Sequence, residues 1–288
     1  MLTIFTDSDT DITPEVAKAY GMKLISMPYV VQNDVFFPYK EQDNFEFKPF
    51  YDSLRNGTVP TTCALNPAEY TEYFEKEFAQ GNDILYIHFS AAMTATFQSM
   101  DEALEELKAK YPERKFYQID TLAITIGSYL AVREIMDYYK QGKSVEEVLE
   151  YAKQEVQHYA TYFFADDLKF FKRSGRVSGI AATMGTIIGI KPIIYIDEFG
   201  VMKSLSKAKG RKNALNKLVE YVETLGDDIK NHYVIIGHTD AEDIAKELGN
   251  LLTEKFGELR IEYVTVNPTA GSHCGPNGIG VSFHAIHR

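Results

Sequence analysis

Four short segments of this 288-residue chain gather hydroxyl, carboxyl, imidazole and thiol groups beside glycines or after a predicted strand. The first is Asp7-Ser8-Asp9-Thr10-Asp11. An Asp-x-Asp pair after an apolar strand can transfer a phosphoryl group, with Asp7 as nucleophile and Asp9 as acid or base. Ser90, Lys172 and a magnesium-holding pair, Asp166-Asp167, would complete such a site. Asp11 opposes it, because a third carboxylate would repel the incoming phosphate. A strand-to-helix turn capped by acids explains the same residues and weighs more, since short motifs often match by chance. The second segment, residues 59–64, and the third, residues 89–99, put hydroxyls beside the free N–H groups of a helix start. That suits an anion, although capping alone accounts for each. The fourth, residues 271–278, has glycines that allow close backbone approach, and a histidine, His273, able to donate to a carboxylate. In isolation His273 reads as a structural loop histidine. A Cys–His nucleophile is poor here, because His273 and Cys274 are neighbours that point apart in extended chain. Two cysteines, Cys63 and Cys274, without close histidine spacing supply no zinc cluster.

The elements that must position these segments alternate. Strands are predicted at 2–6, 24–31, 83–89 and 116–119. Helices are predicted at 14–20, closed by Gly21, and at 47–54, 67–78, about 96–110 and 124–139, with a further helix behind the capping box Ser144-Val145-Glu146-Glu147. This rhythm defines an α/β fold. After about residue 157 the texture changes. A strand at 160–164 precedes two short helices within 166–186, around a Gly/Ser/basic turn. A hairpin follows at 191–196 and 201–206, then a helix at 211–225, a strand at 233–237, a helix at 241–256 and a strand at 259–264. A Gly/Pro-rich loop at 267–280 leads to a last strand. Hairpins mixed with βα units predict a mixed sheet. The length suits two domains, 1–157 and 158–288.

A formal net charge of −11 argues against nucleic acid and against an electrostatic hold on anionic membranes. Two cysteines fit a reducing compartment. With no signal-peptide pattern and no apolar run near the ~18 residues of a span, the expectation is a cytoplasmic protein that is not integral to a membrane. Basic residues concentrate at 169–176 and 203–212, which include Arg173, Arg176 and Arg211. These are a solvated face or a docking site for an acidic partner or phosphate. No phosphate-cradling Gly-x-x-x-x-Gly-Lys-Ser/Thr loop occurs.

In their order and spacing these segments resemble the DegV family of fatty-acid-binding proteins over essentially the whole chain. Phe5-Thr6-Asp7-Ser8 is similar to the family's Asp-Ser start, and Pro60-Thr61-Thr62 aligns Thr62 with its threonine. Residues 90–99 are similar to its Ser-Ser-x-Leu-Ser-Gly-Thr-Tyr-x-Ser, with Thr94 where a serine is usual. Residues 168–177 match its Gly-Gly-Arg segment, and His273-Cys274-Gly275-Pro276 its His-x-Gly-Pro. Cys63-Ala64, Ala91 and Ala95 depart from the usual residues. The resemblance implies an N-terminal three-layer parallel-sheet domain and a C-terminal mixed-sheet α/β domain. It implies a bound long-chain fatty acid as the ligand, with no cofactor, metal or catalytic residue. Thr62 and Thr94 would hold the carboxyl group, with Ser90 and His273 as neighbours, and present it to a separate fatty acid kinase. Arg173, Arg176 and Arg211 would dock that partner. Ile124, Ile126, Leu130, Met184, Ile187 and Ile188 are candidates for the acyl tunnel, although core packing is the stronger prior for each. The alternative function is a magnesium-dependent aspartyl phosphatase or phosphotransferase using Asp7 and Asp9.

Overall fold

The computed structural model describes residues 1–40, 43–178 and 189–288. Its first half runs β1 (Leu2–Asp7), α1 (Pro14–Tyr20), β2 (Met22–Ile25), β3 (Tyr29–Val31), β4 (Asp34–Phe36), α2 (Phe47–Arg55), β5 (Thr61–Thr62), α3 (Pro67–Ala79), β6 (Asp83–His88), α4 (Thr96–Lys110), β7 (Phe116–Asp120), α5 (Ile126–Tyr139) and α6 (Val145–Glu155). Strands β2-β1-β6-β7 form a parallel sheet in that order. Neighbours along a strand face opposite sides. Thus Ile4 and Leu85 join one core with α1, α5 and α6, while Phe5 and Tyr86 join another with α3 and α4. The result is the expected three-layer α/β arrangement.

The second half runs β8 (Tyr159–Phe164), α7 (Lys169–Ser174), β9 (Val177–Ser178), β10 (Ile190–Ile196), β11 (Met202–Lys209), α8 (Arg211–Leu225), β12 (Tyr233–His238), α9 (Glu242–Phe256), β13 (Arg260–Thr265), α10 (Pro268–Cys274) and β14 (Ile279–His284). A mixed seven-stranded sheet has the order β13-β12-β14-β8-β10-β11-β9. Helices α8 and α9 cover one face through Leu215, Leu218, Leu248 and Leu252. Helix α5 covers the other by packing on β8, β12 and β14. Tyr129, Leu130, Val132, Ile135 and Met136 are all buried, so α5 packs on more than one face, while Arg133, Glu134 and Asp137 are only partly buried. The close approach depends on glycine: a Cβ on Gly127 would stand 2.4 Å from the Thr161 hydroxyl.

Three sequence expectations change. The strand expected at 24–31 is two strands, because Pro28 cannot donate to a ladder and the Met27 N–H turns aside to the Ser8 hydroxyl at 2.8 Å. The second piece joins a small antiparallel sheet, β4-β3-β5. The loop expected at 267–280 contains α10: the Asn267 side chain accepts from the Ala270 N–H at 2.9 Å, and Pro268 fills the first helical position. Helix α5 starts only at Ile126, because Leu122 and Thr125 hold positive φ of 49° and 53°. Of the two short helices expected in 166–186, α7 is the first; the second lies outside the described residues, as do Met184, Ile187 and Ile188. Among the described residues, no helix is long and apolar enough to cross a membrane.

Candidate functional site

Loops leaving the carboxyl ends of the parallel strands meet α10 and the α5 side of the mixed sheet around a cavity of about 200 Å³. Ligands in open α/β sheets collect at this end of the strands. All four segments singled out in the sequence reach it: Asp9 from the first, Thr62 and Cys63 from the second, Thr94 from the third, His273 from the fourth. Cys63, Ala64, Ala95 and Arg176 are exposed lining residues and mark the mouth. Deeper, the walls are buried apolar groups, among them Phe89, Ile126, Phe164, Val266 and Ile279.

At the mouth, Thr62 Oγ1 and His273 Nε2 are 3.0 Å apart. Strand β5 carries Thr62, and the last turn of α10 carries His273. Burial pushes the His273 imidazole down to about 4, with the charges of Arg176 and Arg173 acting the same way. His273 is therefore neutral near pH 7 and offers hydrogen bonds rather than charge. Positive charge comes from Arg176, which lines the cavity, and from Arg173, stacked over Phe170 at 5.1 Å. Thr94 Oγ1 accepts from the Thr96 N–H at 3.1 Å at the start of α4, which leaves its own O–H to donate. Thr96 Oγ1 in turn accepts from the Leu65 N–H at 3.1 Å, tying the residue that follows the second segment to the third.

Other expected residues lie elsewhere. Ser90 does not line the cavity: its hydroxyl donates to the Gly200 carbonyl at 2.9 Å and accepts from the Ala92 N–H. Arg211 opens α8, with its Nε 4.0 Å from Glu247. Arg176 was expected only at a docking surface, yet it lines the mouth as well. Ile124 and Ile126 line the cavity, whereas Leu130 packs within the helix layer between the sheets.

The acidic segment is built into the fold. Asp7 is fully buried; its Oδ1 accepts from the Asp9 N–H at 3.0 Å, and its Oδ2 from the Tyr86 hydroxyl at 3.0 Å and the Phe89 N–H at 3.2 Å. Burial pushes its carboxyl up to about 7. Asp11 Oδ1 accepts from both the backbone and side-chain nitrogens of Asn267 at 2.8 Å, and burial raises it to about 7 too. Asp166 and Asp167 are paired with Lys191 and Lys169. The nucleophile that phosphoryl transfer would require, Asp7, is thus engaged in joining loops, and Asp166 and Asp167 are engaged in ion pairs. The sequence reading did not single out the threonines Thr125, Thr161, Thr239 and Thr269, which also line the cavity. Their one signal is a hydroxyl inside an otherwise apolar run, as at Thr161.

Two sheets sharing a helix layer, with an enclosed apolar cavity entered through a polar mouth, define the class of fold. The chain belongs to the DegV family: the family profile, described as one of uncharacterised proteins, matches residues 1–285. A DegV domain-containing protein of Clostridium perfringens is 32% identical over 286 residues, spanning 97% of this chain and 96% of that protein. Among solved structures, a DegV lipid-binding protein from Thermotoga maritima superposes with a TM-score of 0.85 at 22% identity, over 100% of this chain and 99% of that one. A fatty-acid-binding DegV family protein from Thermus thermophilus gives 0.85 at 21% identity, over 99% of both chains.

Proposed function

We propose that this protein binds a long-chain fatty acid, holds its carboxyl group through Thr62, Thr94 and His273, and presents that group to a separate fatty acid kinase. The observation that carries this reading is the contrast within one cavity: hydroxyls, a neutral imidazole and an arginine at the mouth, and buried apolar side chains inside. The fatty-acid and lipid binding named for the Thermus and Thermotoga relatives supports the ligand class. Burying ~14 methylenes at ~0.8 kcal/mol each offers ~11 kcal/mol before ordering losses. A carboxylate without donors would take up a proton, so the mouth must supply hydrogen bonds and charge. A carrier of this kind leaves the chemistry to its partner and needs no cofactor. Exposed Arg173 and Arg211 suit docking of an acidic or phosphate-bearing surface. The phosphotransferase alternative is disfavoured because both oxygens of buried Asp7 already accept hydrogen bonds.

Mass spectrometry of acid-extracted, natively purified protein tests the reading. A monocarboxylic acid of roughly 14–18 carbons is expected, because each buried methylene adds ~0.8 kcal/mol and long chains gain most. Protein that carries none, and that fails to bind palmitate or oleate after delipidation, overturns it. The kinase step is tested by charge reversal: Arg211→Glu is expected to spare lipid binding and weaken kinase-coupled phosphorylation. Equal loss of both would move Arg211 out of the docking role.

A further inference from the structure

Asp9 is the one carboxylic acid among the described residues that line the cavity, and it lies in the buried part. It is 4% exposed, and its Oδ1 has no hydrogen-bond partner. Burial, reinforced by Asp7 and Asp11, holds it protonated well above the usual carboxylate range. The group therefore stands in the wall as a neutral acid, able both to donate and to accept. The Thr269 side chain hydrogen-bonds its carboxyl group, and Thr125 lines the same cavity. A plain acyl chain gives Asp9 nothing to bond, and a polar group buried without a partner is costly. Asp7 and Asp11 make comparable demands on the fold, but each accepts bonds that join loops. The Asp9 side chain bonds Thr269 and still leaves Oδ1 without a partner.

We propose that Asp9 recognises a hydroxyl group carried on the acyl chain, so that the preferred ligand is a hydroxylated long-chain fatty acid. This rests on the fatty-acid reading above and adds to it a second polar station, separate from the mouth. A hydroxyl matches a neutral acid because each donates and each accepts, so one ligand group can satisfy both the acid's O–H and its free oxygen. The apolar surroundings strengthen such a pair by excluding water. They also provide selectivity, because a site built for a hydroxyl is left unpaired by the analogue that lacks it.

The test uses the delipidated full-length protein and isothermal calorimetry. Its probes are palmitate and a set of hydroxypalmitates bearing the hydroxyl near the carboxyl group, at mid-chain and on the terminal carbon. At least one positional isomer is expected to bind about five-fold or more tightly than palmitate, the worth of one buried neutral hydrogen bond. Asp9→Ala is expected to bring the preferred hydroxypalmitate down to the affinity that the same variant has for palmitate, and far-ultraviolet circular dichroism reports that the variant folds. Asp9→Asn, still a donor and an acceptor, should retain most of it. If no isomer exceeds palmitate, water or nothing satisfies Asp9 and the proposal is overturned. A preference that survives Asp9→Ala overturns it equally. Failure of palmitate and every hydroxypalmitate to bind the wild-type protein would instead overturn the fatty-acid reading.

Discussion

Because burial pushes the His273 imidazole down to about 4, a carboxylate at the mouth would draw hydrogen bonds from Thr62, Thr94 and His273, and positive charge from Arg176 with Arg173 nearby. Hydrogen bonds to a charged group are worth ~1.5–3 kcal/mol, so Thr62→Val should weaken palmitate binding by about one to two powers of ten. The fatty alcohol of equal length should respond much less. Calorimetry on the acid and the alcohol decides the matter; an unchanged ratio would remove Thr62 from the site. Asp11 allows a test of linkage. Its folded value, about 7, lies above the 3.8 of an ordinary aspartate. The folded state thus binds the extra proton, and this contribution to stability, full below 3.8, is lost as pH rises to about 7. Asp11→Asn suits the left-handed backbone there, with φ of 58°. It should raise stability by about 2–3 kcal/mol more at pH 8 than at pH 5; denaturant unfolding that shows no difference between the two pH values would exclude the buried charge. At this scale the sequence revealed which segments carry polar groups, because hydroxyls and glycines after strands are local signals. It did not reveal that Ser90 turns to Gly200 while Asp9 faces the cavity, since that depends on what crosses over from the other half of the chain.

Single loops join the elements across long stretches of sequence, and the turn between β10 and β11 is the clearest example. Gly200 sits there with φ of +75°, and a Cβ on it would stand 2.3 Å from the Ser90 hydroxyl and 3.1 Å from the Leu122 backbone. Gly200→Ala is accordingly expected to destabilise strongly, through left-handed strain and collision together. Ser90→Ala should cost ~1 kcal/mol through the lost hydrogen bond and leave fatty-acid affinity unchanged. A fall in affinity at constant stability would return Ser90 to the carboxyl site. Most elements were legible because caps are short-range: Gly21 closes α1, and Ser144 and Glu147 form the capping box of α6. Helix α10 was missed although Asn267-Pro268 is a good start signal, because glycines at 271 and 275 outweighed it. That misreading hid the scaffold of His273, whose ring reaches Thr62 from the last turn of a helix and not from a flexible loop.

On the scale of the molecule, α5 is the common layer of both sheets, and one buried cluster runs from Ile4 and Leu85 through Leu130 to Tyr159 and Ile235. We propose that residues 1–157 and 158–288 are two domains fused through this helix. Calorimetric unfolding should then show one transition, and a fragment of residues 1–157 should bind a hydrophobic dye and fail to unfold cooperatively, since one face of α5 loses its cover. Two separated transitions would show that the halves are independent. The sequence foretold both sheets through their rhythm and a helix at 124–139, but not that this helix lies between them. The stacking of one sheet over the other has no local signal. The bond between Thr62 and His273 joins residues 211 positions apart, from β5 in the first half of the chain to α10 in the second. A carboxyl group that bonded either side chain would therefore have to part a hydrogen bond that stitches the two halves together at the mouth. The mouth would then act as a clasp: what enters exchanges one hydrogen bond for another, and only the difference between the two contributes to affinity.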